Sequence, residues 1–357
     1  MCSSDLGDDA TALQGSTALL MGSVFIVAAC GLVYELCAGA LASYLLGDSV
    51  LQFSTIIGTY LFAMGVGSWC SRYVERQMVA HFLRIELLVG FFGGLMPMAL
   101  FTANSLLPGW AGGPFKALLY GLVGLIGVLV GLEIPLVMRI LQRRTPGGLT
   151  RLGGLRLLVS DVLTFDYLGA LAVSLAFPIL LVPHLGVVRT GLLFGLLNTA
   201  VAAWAWWAFR SEVRAWRSHG LACLGVAAVL VAGMVGAEPL TSWSEDRFYG
   251  DRVVLRQSTP YQRIVITQPH DGGTRLYLNG NLQFASRDEY RYHEALVHPA
   301  MAAHGAPKAV LVLGGGDGMA VREILRYSSV QQVTLVELDP AMTRLFSQDQ
   351  ALLRLNH

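Results

Sequence analysis

Two hydrophobic patterns divide the chain. Up to about residue 237, apolar residues run in long stretches broken by short polar connections; beyond it they alternate, or gather in short runs between turn residues. A bilayer core of about 30 Å takes roughly 20 apolar residues as helix. Seven segments meet or approach that length: 17–46, 52–71, 82–104, 115–141, 157–182, 188–209 and 218–236. Continuous runs exclude membrane strands, which alternate. The expectation is a helical membrane domain over 17–237 behind a tail of residues 1–16. The tail carries Asp5, Asp8 and Asp9 and no Lys or Arg, so it is not a signal-peptide n-region. Gly121, Gly124, Gly127 and Gly131 fall on one side of the fourth helix, and Gly65 and Gly67 lie late in the second. Small residues at such positions let helices approach closely.

The rest of the chain reads as α/β. Two stretches, from Arg252 and from Arg263, alternate with period two. Asp271-Gly272-Gly273 marks a turn before the strand from Thr274, and Asn279-Gly280 is a type I′ hairpin signal. These make a small antiparallel sheet. A helix is expected over 288–303, with Asp288 placed to cap it and Glu289 in its first turn. Glu294 and His298 are one turn apart on it. An apolar strand from Ala309 then leads into Gly314-Gly315-Gly316-Asp317-Gly318, a helix from Met319 to Arg326, and a second strand from Val333 ending on Glu337. Such glycines let a backbone approach a ligand at a helix N-terminus, and an acid ending the second strand can take both ribose hydroxyls. The turn lacks the GxGxxG form, which favours an S-adenosyl nucleoside over a dinucleotide. The fold class is therefore a multi-pass α-helical membrane domain plus an α/β domain. The latter is a small antiparallel sheet (238–305) followed by the start of a Rossmann-like nucleoside-binding fold (306–357).

Charge sharpens the division. Residues 17–237 hold 21 charged residues in 221 positions, and residues 238–357 hold 25 in 120. The formal net charge of +1 gives no bulk attraction to nucleic acid. The five cysteines form neither a CxxC pair nor a Cys/His cluster, so neither a disulfide nor a metal is expected. Connections 2–3, 4–5 and 6–7 carry eleven arginines, against Lys116 and Arg189 in the opposite ones. This bias sets the N-terminus in the cytoplasm of a cell (inner) membrane. Seven crossings then leave the C-terminal domain outside, whereas an adenosyl donor is expected in the cytoplasm; the sequence leaves that conflict open. Glu35, Glu86, Glu133, Asp161 and Asp166 lie within or beside the spans. Acids there are costly enough to suggest a function, and a cationic polyamine is one natural partner. The alternative is pairing with loop arginines, Glu133 with Arg139 and Asp161 with Arg156, or hydrogen bonding between helices. Glu35 and Asp166, without an arginine nearby in sequence, are the stronger candidates.

Specific residues narrow the class. Tyr261-Gln262-Arg263-Ile264, Leu276 to Gly280, Gln283, Asp288-Glu289, Tyr292-His293-Glu294, His298-Pro299, Gly314 to Gly318 and Glu337-Leu338-Asp339 occur in order. Over about residues 245–345 this resembles the spermidine synthase family of polyamine aminopropyltransferases. Tyr34-Glu35, Ser43 to Gly47, Gly131 to Pro135 and Asp166 to Ala170 resemble the multi-pass region fused to such domains in some bacteria.

The resemblance implies transfer of an aminopropyl group from decarboxylated S-adenosylmethionine to a diamine, usually putrescine. The products are spermidine and 5′-methylthioadenosine, and no cofactor is permanently bound. It implies that Gln262 touches the donor, Asp317 binds the ammonium of its aminopropyl arm, and Glu337 holds the ribose beside Gly314, Gly315, Gly316 and Gly318. His293, together with Asp317, then binds the polyamine in its channel, with Tyr292 and Glu294 supporting. Partners implied are these substrates, membrane lipid and a second or further copies, as a homodimer or homotetramer. Each assignment has a plainer alternative. Gln262 pairs with backbone, His293 is a surface histidine, Asp317 only caps the helix, Glu337 is a solvated strand end, and Tyr261 and Tyr277 are core. By the same resemblance, the acid contacting adenine and the Asp that deprotonates the attacking amine are expected beyond His357. This chain alone is then expected to be inactive. Two other readings stay open: a membrane protein that binds or moves polyamines, with a regulatory or vestigial C-terminal domain, and another S-adenosyl-dependent transferase.

Overall fold

The computed structural model describes residues 5–47, 49–106, 113–144, 152–213, 215–270 and 272–356, without the side chains of 5–20, Arg144 and 152–156. Asp271, Arg151 and Arg214, which figured in the expected turn and loops, lie outside the described residues, as does the side chain of Arg156. The chain divides into two units between Ser244 and Glu245.

Among its described residues the first unit contains helices and no strand. It contains α1 (Asp5–Leu46), α2 (Ser49–Cys70), α3 (Met78–Leu106), α4 (Gly113–Arg144), α5 (Leu152–Ala176) and α6 (Val182–Ala208), with most of α7 (Trp216–Tyr249). Six stretches of described helix are long and apolar enough to cross a membrane. One of them, Leu157–Ala208, is 52 residues long and takes in both α5 and α6. A π-helical turn at Phe177–Leu181 and a non-helical Gly186 (φ 74°, ψ 168°) break it, which restores the seven helices read from the sequence. Two boundaries differ from expectation. Helix α1 begins at Asp5, inside the expected polar tail. Helix α7 runs through Pro239 to Tyr249, so the expected break at residue 237 is helical and the division falls seven residues later.

The glycine stripe is half correct. A Cβ on Gly67 would lie 2.0 Å from the Val128 carbonyl oxygen, and one on Gly131 2.1 Å from that of Met64. At those positions α2 and α4 touch backbone to backbone, which only a missing side chain permits. Gly65, Gly121 and Gly124 have nothing within 4 Å and are not contact residues. Apolar side chains also point away from the bundle: Leu61, Phe62 and Trp69 on α2, and Leu221, Leu224 and Val235 on α7.

The second unit contains a four-stranded antiparallel sheet in the order β1 (Arg252–Ser258), β2 (Arg263–Gln268), β3 (Arg275–Leu278), β4 (Asn281–Ala285). Asn279 and Gly280 both take positive φ (51° and 82°), as a type I′ turn requires. Helix α8 (Glu289–His304) follows, then β5 (Ala309–Leu313), α9 (Met319–Ile324), β6 (Gln332–Val336), α10 (Pro340–Gln348) and α11 (Gln350–Leu353). Strands β5 and β6 pair in parallel. The expected division at residue 305 does not separate two cores. Ile264, Ile266, Leu276 and Phe284 of the antiparallel sheet pack on Met319, Met342, Phe346 and Leu352 from beyond it. Helix α9 serves both layers, because Ala320 and Ile324 join Val297 and Met301 of α8 over one face of β5–β6. The other face of that pair leaves Leu311, Leu313 and Val336 exposed.

Candidate functional site

The Gly314–Gly318 turn is tied to the end of β6. The Gly314 N–H donates to the Val336 carbonyl at 2.8 Å, which brings the turn beside Glu337. The Gly316 N–H then donates to Glu337 Oε2 at 2.7 Å, and the Asp339 N–H to Oε1 at 3.0 Å. One main-chain donor on each oxygen fixes the carboxylate in orientation. Gly314, Gly315 and Gly318 have positive φ, so a Cβ would strain each. Gly316 is glycine for another reason. A Cβ there would stand 2.8 Å from the Glu337 carboxylate and 3.0 Å from Met342 Cβ.

Asp317 directly precedes Gly318, the N-cap of α9. Its Oδ1 accepts from the Met319 N–H at 3.0 Å, so the plain alternative, a bond to the first helical N–H, is realised. Its carboxyl also sits within Coulombic range of His293, Glu337 and Glu289. Burial is the largest effect on it and pushes its pKa up. The Met319 N–H and His293 oppose this, while Glu337 and Glu289 add to it.

His293 is buried, which excludes the surface-histidine alternative. Its Nδ1 lies 2.7 Å from Glu289 Oε2 and 2.9 Å from the Glu289 carbonyl, one turn back on α8. Glu289 in turn accepts from Arg322 of α9 at 2.7 and 3.0 Å. Arg322 also donates to Glu323 and to the Leu355 carbonyl. Arg322, Glu289 and His293 thus form a relay that holds the ring in one orientation. Tyr292 is exposed, its ring set edge-on to His293 at 5.1 Å.

Gln262 does not pair with strand backbone through its side chain. Its Nε2 donates to Asp339 Oδ2 at 2.9 Å. Asp339 also accepts from Thr259 Oγ1 at 2.8 Å and, through Oδ1, from the Ala341 N–H that opens α10. Asp339 is 2% exposed. It joins the β1–β2 connection to the residues following β6, and one residue separates it from Glu337. Asp339, Thr259, Glu289 and Arg322 were not expected as site residues; only Asp339 and Glu289 carried a signal, as members of quoted motifs.

Three expectations need correction. Tyr261 is exposed and is not core, since its turn points it outward, whereas half-buried Tyr277 packs on Tyr249 at 4.6 Å between ring centres. Asp288 precedes α8 but makes no side-chain cap, and the Glu289 carboxylate is engaged by His293 and Arg322. Glu294 does not support His293. It converges instead with His298 and Glu323, their ligand-type atoms within 4.8 Å of one another. Arg322 and Arg326 lie 3.0 and 2.8 Å from Glu323 oxygens and already compensate its charge, so this trio is read as ion pairs and not as a metal centre.

In the first unit, Glu35 and Asp166, the favoured acids, are half-buried. Glu86 and Glu133 are the fully buried ones, at 0% and 1% exposure. The expected Glu133–Arg139 pair does not form. Arg139 donates to the carbonyls of Val74 and Ser71 and to Ser71 Oγ at 2.6 to 3.0 Å.

Residues 289–348 match the family model described as the spermine/spermidine synthase domain. Polyamine aminopropyltransferase 2 of Ralstonia nicotianae is 57% identical over 354 residues, covering 96% of this chain and 66% of the relative. The polyamine aminopropyltransferase of Leptospira interrogans is 49% identical over 337 residues, covering 94% of this chain and 64% of the relative. The chain thus spans a little under two thirds of the length of these relatives. The crystal structure of spermidine synthase from Thermotoga maritima is 37% identical over 27% of this chain and 33% of its own, with a TM-score of 0.27. The matched domain covers α8 to α10, the elements that carry His293, Asp317 and Glu337, and the identity to the relatives continues through the helical unit; this chain belongs to the spermidine synthase (polyamine aminopropyltransferase) family.

Proposed function

We propose that the second unit supplies the donor-binding part of an aminopropyltransferase, carried by a helical unit that crosses the cell membrane. The donor is decarboxylated S-adenosylmethionine and the acceptor a diamine, usually putrescine. A neutral amine nitrogen attacks the carbon next to the sulfonium. The C–N bond forms as the C–S bond breaks, a proton leaves the new ammonium, and spermidine and 5′-methylthioadenosine result.

The carrying observation is the Glu337 carboxylate, oriented by two main-chain N–H groups next to a glycine turn and one residue from Asp339. A carboxylate so fixed presents its remaining lone pairs to a pair of ribose hydroxyls. Asp317 is held by the α9 N-terminus with acidic neighbours, which suits the ammonium of the aminopropyl arm. His293, oriented by Glu289 and Arg322, flanks that position and suits the acceptor channel. Gln262 acts through Asp339: it fixes the β1–β2 connection over the nucleoside position. No base for the acceptor is assigned among the described residues. Asp349 is spent on the N–H groups of Ala351 and Leu352.

Membrane crossing is supported by helix length and by apolar side chains pointing out of the bundle. Exposed apolar surface of that extent is costly in water and neutral in lipid. The arginine bias keeps the N-terminus cytoplasmic in this reading. Equilibrium binding of labelled donor to the full chain in detergent tests the proposal. Glu337→Gln is expected to weaken it by roughly tenfold or more, about the value of one charge-assisted hydrogen bond. Undiminished binding by that variant would remove the assignment.

A further inference from the structure

The first unit contains a polar cluster that the transferase reading does not use. Glu86 of α3, Glu133 of α4, Asn198 of α6 and Tyr34 of α1 come from four different helices, and each is at most 1% exposed. The Asn198 amide donates to Glu86 Oε2 at 3.0 Å. Among the described residues this is the cluster's single hydrogen bond between side chains. Glu86 Oε1, both oxygens of Glu133, the Asn198 carbonyl oxygen and the Tyr34 hydroxyl have no hydrogen-bond partner. Glu133 lies within Coulombic range of Glu86, and Tyr34 of both.

The count of donors against acceptors is lopsided. Four unsatisfied oxygens are acceptors, and one hydroxyl can donate. The arginine nearest in sequence, Arg139, is turned to Ser71 and Val74. Buried polar atoms are normally paired, and clusters that are not call for an explanation. Inside an apolar bundle, one oxygen of Glu86, both of Glu133 and the Asn198 amide oxygen are left without a donor among the described residues. A primary ammonium group supplies three donors on one charged centre.

We propose that Glu86 and Glu133, with Asn198 and Tyr34, form a binding site for a primary ammonium cation inside the helical unit. It is separate in sequence from the site at Gly314–Gly318 and independent of whether that site performs a transfer. Tyr34 and Asn198 are themselves closely packed. The packing of glycines around them leaves no latitude: a Cβ on Gly93 would stand 2.7 Å from the Tyr34 ring, and one on Gly90 3.2 Å from Asn198 Cβ.

The test uses the full chain in nanodiscs with labelled putrescine as the probe, in an Asp317→Asn/His293→Ala background that disables both the ammonium position and the acceptor channel of the second unit. Saturable binding is expected to persist there. Adding Glu86→Gln or Glu133→Gln is expected to weaken it roughly tenfold or more, the scale of one charge-assisted contact. Glu35→Gln is expected to leave it within about threefold. Glutamine keeps the volume and brings donors of its own. The two variants are therefore expected to elute as the parent does and to unfold at higher temperature; loss of a merely structural contact would lower it. Three results would overturn the proposal: binding undiminished in both variants, displacement of putrescine by an equal concentration of sodium chloride, or binding that already disappears in the Asp317→Asn/His293→Ala background. The last would leave the donor-site reading intact.

Discussion

At the scale of single residues, the position of Glu337 depends on what residue 316 lacks. A methyl group there would meet the carboxylate and Met342 together. Gly316→Ala is therefore expected to cost about 1–3 kcal/mol as local overpacking. It should also displace Glu337 and weaken nucleoside binding, read by calorimetric titration with 5′-methylthioadenosine. Unchanged affinity would show that the Gly316–Glu337 contact does not set the site. Asp317 carries a second expectation. A carboxyl whose folded pKa lies above its unfolded value favours the folded state while protonated. That contribution is full below the unfolded pKa and is lost as pH rises through the folded one. Asp317→Asn keeps an oxygen for the Met319 N–H and removes the charge. In the absence of ligand the second unit is expected to melt higher in the variant than in the parent at pH 8, with the gap closing in acid. A gap that widens in acid would contradict burial as the dominant influence on this group.

At the scale of elements, local signals were legible and long-range ones were not. The Asn279-Gly280 hairpin, the run into β5 and the acid ending β6 are each written in a few consecutive residues, and each forms as read. The Gln262–Asp339 bond and the Arg322–Glu289 pair join residues 77 and 33 positions apart. No periodicity encodes them, so the brace from the Gln262 amide to Asp339 was not legible in the sequence. Asp288 was taken as a cap from position alone, while Glu289 does the electrostatic work through Arg322. The glycines of α4 show the same limit. A stripe marks which side of a helix has small residues, but not which of them meets a neighbour. Gly131→Val is expected to push α2 from α4 and abolish monodisperse elution in detergent. Gly121→Val, with nothing within 4 Å, is expected to elute as the parent. Similar behaviour of the two variants would sink the backbone-contact account of α2 and α4.

At the scale of the whole molecule, composition was enough to separate an apolar helical unit from a charged α/β unit. It was less able to rank the acids inside the first. Glu35 and Asp166 were favoured because no arginine lies near them in sequence. Packing instead buries Glu86 and Glu133 completely and turns Arg139 elsewhere, since a helix of 32 residues places neighbours in sequence on different faces. The uncovered face of β5–β6, with Leu311, Leu313 and Val336 exposed, also belongs to this scale. Parallel strands are normally covered on both faces, so this face is suited to further packing. The central claim is that Asp317 and Glu337 divide the donor between them, the first taking its ammonium and the second its ribose. Titration of the full chain with decarboxylated S-adenosylmethionine and with 5′-methylthioadenosine, which lacks the ammonium arm, tests this directly. Asp317→Asn is predicted to lose roughly tenfold or more for the former and to leave the latter within about threefold, while Glu337→Gln weakens both. Equal losses for both ligands in Asp317→Asn, or none in either variant, would contradict it.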